Sequence, residues 1–357
     1  MAFPEYYNGR VALIRWRCRQ ACDGREMRTA WVILLFGVLL SAYLYYVRGI
    51  GVQPQIGAPL VLEREGLRRT YAWSQKAPMR SPRTEVTAAV LQGRVYVIGG
   101  FDGLARTVAT VEIYDPATDS WRGAPELPEG RHHAAAVTLA DTLYVIGGYS
   151  GRGFEPKADV FASKGGALWQ RLAPLPEARG ALAAAALGQK IFAIGGIGPQ
   201  GLANDLFVYE PSQDSWITKS PAPTKRDHLG AAALGGLFYV AGGREKSLAE
   251  NLAVLEFYDP RADTWGTGPL LPTARGGVAG AAFDGLFVVL GGEQPAGTFR
   301  EVEAFDPLPN CWLALPPLPT PRHGLAAAVV GNALYAIGGG KRPGLSVSGA
   351  NEALAIR

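Results

Sequence analysis

The sequence of 357 residues holds few of the residues that build disulfides or metal sites. It has three cysteines and four histidines. Three cysteines cannot form a disulfide framework. Cys18 and Cys22 have no histidine near them, and Cys311 stands beside Trp312. We therefore expect free thiols, with Cys311 packed as a small apolar residue, and neither a metal site nor a cofactor.

Sequence motifs of two enzyme classes are also missing. The chain has no G-x-S-x-G elbow, which serine hydrolases of one large class require. The glycine-rich stretch VIGGYSGRG at residues 145–153 follows an apolar run, as a phosphate-binding loop would. However, Lys and Ser/Thr do not follow its last glycine, and Pro156 comes soon after. We therefore exclude a nucleotide site there.

Excess positive charge is confined to the N-terminal part of the chain. Residues 1–29 carry six arginines against three acids, and residues 30–69 carry four arginines against two acids. Residues 70–357 hold 25 basic and 26 acidic residues. This near-neutral balance gives no electrostatic footprint for nucleic-acid binding.

The main feature of the sequence is a repeat of 47 to 49 residues. Each copy has an apolar run that ends in two glycines, and a tryptophan recurs with the same period. The doublets are Gly99-Gly100, Gly147-Gly148, Gly195-Gly196, Gly242-Gly243, Gly291-Gly292 and Gly338-Gly339, and the tryptophans are Trp73, Trp121, Trp169, Trp216, Trp265 and Trp312. A period of this length indicates a repeat architecture. We expect both sets to be structural.

Each repeat predicts four short strands. In one copy these are RHHAAAVTLA, TLYVIGG, DVF and LWQRLAPLP. The first is small and apolar, as expected near a crowded axis, and the second ends where glycine permits a positive φ. The last stops at a proline-containing segment that cannot continue a ladder.

These motifs resemble the kelch repeat over residues 73–357. The glycine doublet, the aromatic residue about seven positions before the tryptophan, and the arginine that opens the next strand all match. The resemblance implies an all-β, six-bladed propeller with one four-stranded blade per repeat. The chain enters the repeats on a lone fourth strand (71–79) and leaves on a third strand (351–356). We expect these two ends to pair and close the ring.

Residues 30–47 are the one long uncharged apolar stretch. A helix of this length nearly spans a bilayer, with Trp31 at one end and Tyr43, Tyr45 and Tyr46 at the other. We predict a basic cytoplasmic arm (1–29), a transmembrane helix (30–47), a tether (48–70) and the propeller (71–357). By the positive-inside rule the propeller is extracytoplasmic in a single-pass protein. The alternative is a cleaved signal peptide that starts at Met27.

Candidate site residues cluster at the start of the first strand of each repeat. An arginine stands there in every copy, and all four histidines lie one or two positions after one. The ligand-binding candidates are Arg83, Arg131, His132, Arg179, Arg226, Asp227, Arg275, Arg322 and His323, and His133 and His228 are the catalytic candidates if the protein is an enzyme. Such a ring suits an anionic ligand. Alternatively, each arginine has a structural role and bonds carbonyls of the neighbouring blade or pairs with a turn acid. Strand alternation predicts that His132 and His133 point to opposite faces.

Three functions follow from the resemblance. The first is a membrane-anchored, monomeric binding propeller that holds a protein or an acidic or glycan group at its mouth. The second is a sugar mutarotase similar to bacterial N-acetylneuraminate epimerase. The third is a ubiquitin-ligase substrate adaptor, which the predicted membrane helix and the lack of an accompanying adaptor domain disfavour.

Overall fold

The computed structural model describes residues 24–64, 66–151, 153–245 and 247–357. The chain divides into two compact units, Met1–Ala42 and Tyr43–Arg357. Helix α1 (Gly24–Tyr46) supplies the described part of the first unit, and its last turn belongs to the second. From residue 60 onward the second unit is built of β-strands.

Six sheets of four or five strands form the blades of a propeller, and the loops between the second and third strands of blades 2, 3 and 5 each add a separate two-stranded sheet. The chain begins with β1 (Leu60–Arg64) and β2 (Leu67–Gln75), and blade 1 follows with β3 (Thr87–Leu91), β4 (Arg94–Ile98), β5 (Val111–Asp115) and β6 (Ser120–Gly123). Blade 2 contains β7 (Ala135–Leu139), β8 (Thr142–Ile146), β9 (Tyr149–Ser150), β10 (Glu155–Pro156), β11 (Val160–Lys164) and β12 (Gln170–Leu172). Blade 3 contains β13 (Ala183–Leu187), β14 (Lys190–Ile194), β15 (Ile197–Gly198), β16 (Gly201–Leu202), β17 (Leu206–Glu210) and β18 (Ser215–Lys219). They continue with β19 (Gly230–Leu234), β20 (Leu237–Ala241), β21 (Leu255–Asp259) and β22 (Thr264–Thr267) in blade 4; β23 (Ala279–Phe283), β24 (Leu286–Leu290), β25 (Glu293–Gln294), β26 (Gly297–Thr298), β27 (Val302–Asp306) and β28 (Cys311–Ala314) in blade 5; and β29 (Ala326–Val330), β30 (Ala333–Ile337) and β31 (Asn351–Ile356), which β2 and β1 complete, in blade 6. The predicted all-β, six-bladed fold is confirmed.

Small residues line the central axis because six strands converge there. The first strand of each blade packs against the first strands of both neighbouring blades. Their alanines and glycines surround a channel cavity of about 170 Å³. Larger residues of the second and third strands fill the space between blades, as where the rings of Tyr144 and Tyr209 lie 5.9 Å apart.

The two ends of the repeat region close the ring by antiparallel pairing. Strand β2 pairs with β31 from Tyr71 opposite Ile356 to Gln75 opposite Glu352, and β31 pairs on its other side with β30. Closure by residues 71–79 and 351–356 is thus confirmed, although the N-terminal strand begins earlier and ends at Gln75. Blade 6 therefore contains strands from both ends of the repeat region, and their pairing holds the ring closed.

The six repeated tryptophans tie each blade to its neighbour in the same way. Every indole N–H donates to a backbone carbonyl, at 2.7 to 3.0 Å. The acceptors for Trp73, Trp121, Trp169, Trp216, Trp265 and Trp312 are Pro316, Ala77, Pro125, Ala173, Ser220 and Pro269. Five of the six bonds span 43 to 45 residues, and the bond from Trp73 spans 243. The bond with the large sequence separation is the one made by the N-terminal strand that closes the ring.

The glycine doublets and the repeated arginines form a second set of links between blades. The second glycine of each doublet donates its N–H to the carbonyl of the arginine that opens the next repeat, as Gly148 does to Arg179 at 2.8 Å. Both glycines have positive φ. A Cβ at Gly148 would lie 2.8 Å from the Cβ of Ala134 and 2.9 Å from the carbonyl oxygen of His132. Glycine is needed here because the backbones approach so closely.

Replacing Gly148 with Ala should destabilise the propeller by about 1–3 kcal/mol more than the same change at Gly151. Both glycines have positive φ, +90° and +66°, so the intrinsic strain of an alanine is similar. A Cβ at Gly151 meets no atom within 4 Å. Urea denaturation of the two variants measures the difference. Equal unfolding midpoints would contradict the assignment of Gly148 to a steric contact between strands.

The prediction of a transmembrane helix over residues 30–47 is wrong. Within the part of the chain that the structure describes, no helix combines the length and the apolar content needed to cross a membrane. The tyrosines assigned to a membrane interface contact propeller loops instead. The Tyr43 hydroxyl donates to the Gly103 carbonyl at 2.9 Å, and the Arg342 guanidinium lies 4.0 Å from the centre of the Tyr45 ring. The predicted single-pass localisation, with a cytoplasmic N-terminus and an extracytoplasmic propeller, depended on that helix and is wrong as well.

The segment predicted as a tether (48–70) is ordered against blade 6. It contains β1 and the first residues of β2. The Gln55 N–H donates to the Pro319 carbonyl at 2.7 Å, and the Lys341 ammonium group donates to the Val52 carbonyl at 3.5 Å. The first 23 residues of the predicted basic arm (1–29), with Cys18 and Cys22, lie outside the described residues.

Candidate functional site

The six repeated arginines lie inside the blades, with at most 2% of their surface exposed. Each guanidinium pairs with an acid on, or just before, the third strand of its own blade. The pairs are Arg83–Glu112, Arg131–Asp159, Arg179–Asp205, Arg226–Glu256, Arg275–Glu303 and Arg322–Glu352. Several also donate to second-strand carbonyls, as Arg322 does to Ala336 at 2.7 Å. The arginines therefore have almost no surface to offer a ligand.

A closed ring of backbone hydrogen bonds lies two residues after these arginines. Its members are Glu85, His133, Ala181, His228, Gly277 and Gly324, and all six have positive φ. The N–H of each of the last five donates to the carbonyl of the member before it at 2.9 to 3.2 Å, and the Val86 N–H closes the ring on Gly324 at 3.3 Å. This ring narrows the channel at its mouth and encloses a cavity of about 80 Å³.

Polar side chains from five blades meet at this ring. We call Glu85, His132, His133, Asp227, His228, Arg244, Glu293 and His323 the mouth cluster. The two carboxylate oxygens of Glu85 lie 3.1 Å from His133 Nε2 and 3.1 Å from His323 Nδ1. His228 Nδ1 lies 2.8 Å from Asp227 Oδ1.

Arg244 links two parts of the mouth cluster. Its guanidinium donates to His228 Nε2 at 2.9 Å and to Glu293 Oε1 at 3.0 Å. Glu293 also lies 3.4 Å from His323 Nδ1. His323 Nε2 donates to the Arg342 carbonyl at 3.1 Å. The contacts therefore run without a break from blade 2 to blade 6.

His132 and His133 point toward each other, which corrects the prediction that they face opposite sides. Their Nδ1 atoms are 2.5 Å apart. Strand alternation fails here because His133 has a φ of +53°, in the left-handed region. His132 also stacks on Phe101, with ring centroids 3.9 Å apart, and its Nε2 has no hydrogen-bond partner among the described residues. The argument from alternation against a shared histidine site is therefore void.

Burial and charge set the protonation of the mouth cluster. Burial lowers the pKa of His132 to about 4, and it lowers the pKa of His133 well below its usual value against the charge of Glu85. Burial would also lower the pKa of His323, but its hydrogen bond to Glu85 and the charges of Glu293 and Glu85 raise it above its usual value. Burial would raise the pKa of Glu85, yet the neighbouring histidines hold it well below the usual range. We assign an ionised Glu85 and a neutral His133.

Of the predicted site residues, the fold brings His132, His133, Asp227, His228 and His323 together and leaves the six arginines apart. Sequence reasoning missed Glu85, Arg244 and Glu293. Glu85 occupies the same repeat position as His133 and His228, two residues after the arginine, so alignment of the repeats could have found it. Arg244 and Glu293 each follow a glycine doublet, and nothing in the sequence indicates that these loops turn inward.

Comparisons with known proteins identify the repeat. The family model for the KLHDC2/KLHL20/DRC7 Kelch-repeats domain matches residues 167–340, and the model for the Kelch motif matches residues 82–128. These two regions cover the four strands of the first blade and run from the last strand of the second blade to the second strand of the sixth.

Curated relatives match over short stretches. The chain is 36% identical over 66 residues to Kelch-like protein terF of Aspergillus terreus, which is 17% of this chain and 14% of that one. It is 29% identical over 102 residues to F-box/kelch-repeat protein SKIP30 of Arabidopsis thaliana (26% and 28%). It is 41% identical over 59 residues to Kelch-like protein 35 of Homo sapiens (16% and 10%). Each match thus covers less than a third of either chain.

Proposed function

This chain belongs to the kelch-repeat family, and from that premise we propose that it is a binding protein whose ligand is another protein. The ligand binds on what we call the loop face, the six loops that join second to third strands (99–110, 147–159, 195–205, 242–254, 291–301 and 338–350). The supporting observation is a group of exposed apolar side chains there. Leu104, Phe154 and Leu345 are 64%, 48% and 45% exposed. A group of exposed apolar side chains on one face is typical of a protein interaction site.

These three residues belong to loops that contact one another directly or through a short bridge. The Thr107 hydroxyl donates to the Gly151 carbonyl at 2.9 Å, which joins the loops of blades 1 and 2. Tyr43 and Tyr46 donate to the carbonyls of Gly103 and Pro343, which joins the loops of blades 1 and 6. A partner that spans these three loops would also cover the buried mouth cluster between them.

The size of the two cavities on the channel axis favours a surface ligand over a small molecule held in the channel. The cavity at the ring is about 80 Å³ and the channel about 170 Å³. Pockets for drug-sized ligands are roughly 300–1,000 Å³. A protein partner needs no such cavity because it binds across the surface.

A sugar isomerase is the second candidate. The hydrogen bond between His228 and Asp227 would orient the imidazole as a general base, and His133 would be its counterpart. Both histidine side chains are less than 10% exposed. The ring of backbone hydrogen bonds would therefore have to open before a sugar could reach them. An NMR anomer-exchange assay with N-acetylneuraminate tests this candidate, and loss of exchange in His228→Ala with an unchanged fold would support it.

Site-specific photo-crosslinking tests the proposed binding face. A photo-crosslinking residue is placed at Leu104 or Phe154, and at Leu308 as the control. Leu308 is 71% exposed but lies between the third and fourth strands, at the opposite end of the blade. We expect one partner to crosslink from positions 104 and 154 and not from 308. Equal crosslinking from all three positions, or preference for 308, would contradict the proposal.

Affinity measurements with the crosslinked partner give the magnitude. A hot-spot residue costs about 2 kcal/mol or more on truncation, which is about a 30-fold rise in Kd. We expect this from Leu104→Ala or Phe154→Ala, and no change from Leu308→Ala. Surface plasmon resonance with the purified partner measures all three. Affinity that falls only for Leu308→Ala would move the interface to the other face.

A further inference from the structure

We propose that Glu85, His133 and His228 form a binding site for a divalent transition-metal ion of the Zn²⁺ class at the channel mouth. The site is independent of the proposed protein ligand. These residues are three members of the backbone ring, and their donor atoms lie within 4.8 Å of one another. All three line the cavity of about 80 Å³. That volume exceeds the roughly 10–15 Å³ that a bound water needs, so an ion with a water ligand fits.

The spacing of two donors already matches a shared ion. Glu85 Oε2 and His133 Nε2 are 3.1 Å apart. Two ligand atoms about 2.0–2.1 Å from Zn²⁺ at a tetrahedral angle would be roughly 3.3 Å apart. An ion that binds there needs the neutral tautomer of His133 that carries its proton on Nδ1, toward His132, and its lone pair on Nε2.

Outer-shell contacts orient both imidazoles. Asp227 accepts a hydrogen bond from His228 Nδ1–H, so Nε2 of His228 carries the lone pair. His132 contacts Nδ1 of His133, which leaves Nε2 facing Glu85. Metal-binding histidines usually have such a partner on the ring nitrogen that does not bind the ion. Arg244 donates to His228 Nε2 in the metal-free protein. An ion bound to this nitrogen replaces that hydrogen bond, while Arg244 retains its hydrogen bond to Glu293.

The charge of the mouth cluster favours a cation. Three carboxylates, Glu85, Asp227 and Glu293, are each at least nine-tenths buried. The permanently charged basic group that contacts them is Arg244, which lies 3.0 Å from Glu293 Oε1 and 3.4 Å from Asp227 Oδ1. A divalent ion bound beside Glu85 adds positive charge to this group of buried carboxylates.

A second set of donors, Glu85, Glu293 and His323, is a weaker candidate. It has a single imidazole, whose Nδ1 already bridges the two carboxylates and whose Nε2 donates to the Arg342 carbonyl. Neither His323 nor Glu293 lines the cavity at the ring. We therefore assign the ion to the set with two imidazoles. Two nitrogens and one carboxylate favour Zn²⁺, Co²⁺ or Fe²⁺ over Mg²⁺ and Ca²⁺, which prefer oxygen ligands.

Metal titration of the full-length protein tests the site. The protein is stripped with EDTA and titrated with Zn²⁺ by calorimetry, and with Co²⁺ by visible absorption. We expect one ion per chain, absorption bands of Co²⁺ bound by imidazole, and no binding of Mg²⁺. His133→Gln, His228→Gln and Glu85→Gln should each weaken Zn²⁺ binding by more than about 100-fold, because each removes a ligand. Asp227→Asn should weaken it by about 10- to 100-fold, as loss of an outer-shell partner does.

The comparison variant is His323→Gln, which removes an outer-shell partner of Glu85 but no ligand of the assigned set. It should weaken Zn²⁺ binding by about 10- to 100-fold, less than the loss of a ligand does. Circular dichroism of each metal-free variant checks the fold, and a variant that does not fold is replaced by the remaining two ligand variants. The proposal is overturned if the unaltered protein binds no Zn²⁺, if Mg²⁺ binds equally well, or if affinity is lost with His323→Gln and kept with His228→Gln.

Discussion

Replacing Arg322 with Met should lower the free energy of unfolding by about 3–5 kcal/mol, because it leaves a buried carboxylate without its counter-ion. Arg322 is 0% exposed, and Glu352 is 2% exposed. The guanidinium lies 2.8 Å from the carboxylate and also donates to the Ala336 carbonyl. Glu352 belongs to β31, the strand that closes the ring, so the unpaired charge lies at the closure. Urea denaturation followed by circular dichroism measures the loss.

Two controls separate this effect from a general loss of charge. Arg261→Ala removes a surface arginine, 81% exposed, that is paired with Asp259, and exposed pairs contribute little. We expect its unfolding midpoint to be unchanged. The double variant Arg322→Met with Glu352→Met should be more stable than Arg322→Met alone, because it buries no unpaired charge. Recovery is incomplete, since the Thr320 hydroxyl loses Glu352 as its acceptor. A double variant less stable than the single one would show that the lost packing, rather than the unpaired carboxylate, is responsible.

Replacing Trp73 with Ala should also cost about 3–5 kcal/mol, because it removes a large buried ring from the closing blade. Trp73 is 5% exposed and packs in a cluster with Phe283, Leu334 and Leu354. Its indole donates to the Pro316 carbonyl at 2.7 Å, from the N-terminal strand to the far end of the chain. Thermal unfolding by circular dichroism measures the loss.

The matched control is Trp169→Ala, at the same position of another repeat. Trp169 is only partly buried, and its bond to the Pro125 carbonyl spans 44 residues. We therefore expect a smaller loss of stability. Trp73→Phe should fall between Trp73→Ala and the unaltered protein, because it keeps most of the packing and loses the hydrogen bond. If Trp169→Ala and Trp73→Ala cost the same, the closure would contribute no more than an ordinary contact between blades.

The N-terminal segment shows where sequence patterns mislead. Residues 30–47 are apolar, and their tyrosines stand at the end of the run, as they do in membrane spans. The same pattern serves a helix whose last turn packs on loops. Tyr45 stacks under Arg342 and Tyr43 donates to Gly103, both far away in the chain. Composition could not reveal these partners because they lie about 60 and 300 residues away.

The mouth cluster was half predicted. Histidines two positions after the repeated arginines could be seen in the sequence, but the acids that pair with them could not. His323 and Glu85 are 238 residues apart and meet because the ring closes between blades 6 and 1. The positive φ of His133 turned a strand position inward, against the alternation that the sequence implied.

The sequence by itself determined the number of blades, their four-stranded form and the closure of the ring. Those features rest on local requirements that recur with every repeat, such as glycine where backbones touch and tryptophan where blades meet. The tertiary structure alone decided which repeated residues could serve a ligand. It buried the arginines against third-strand acids and gathered histidines and acids from different blades at the channel mouth. The physical reason is that burial and pairing depend on neighbours from other blades, whereas the repeat depends on its own backbone geometry.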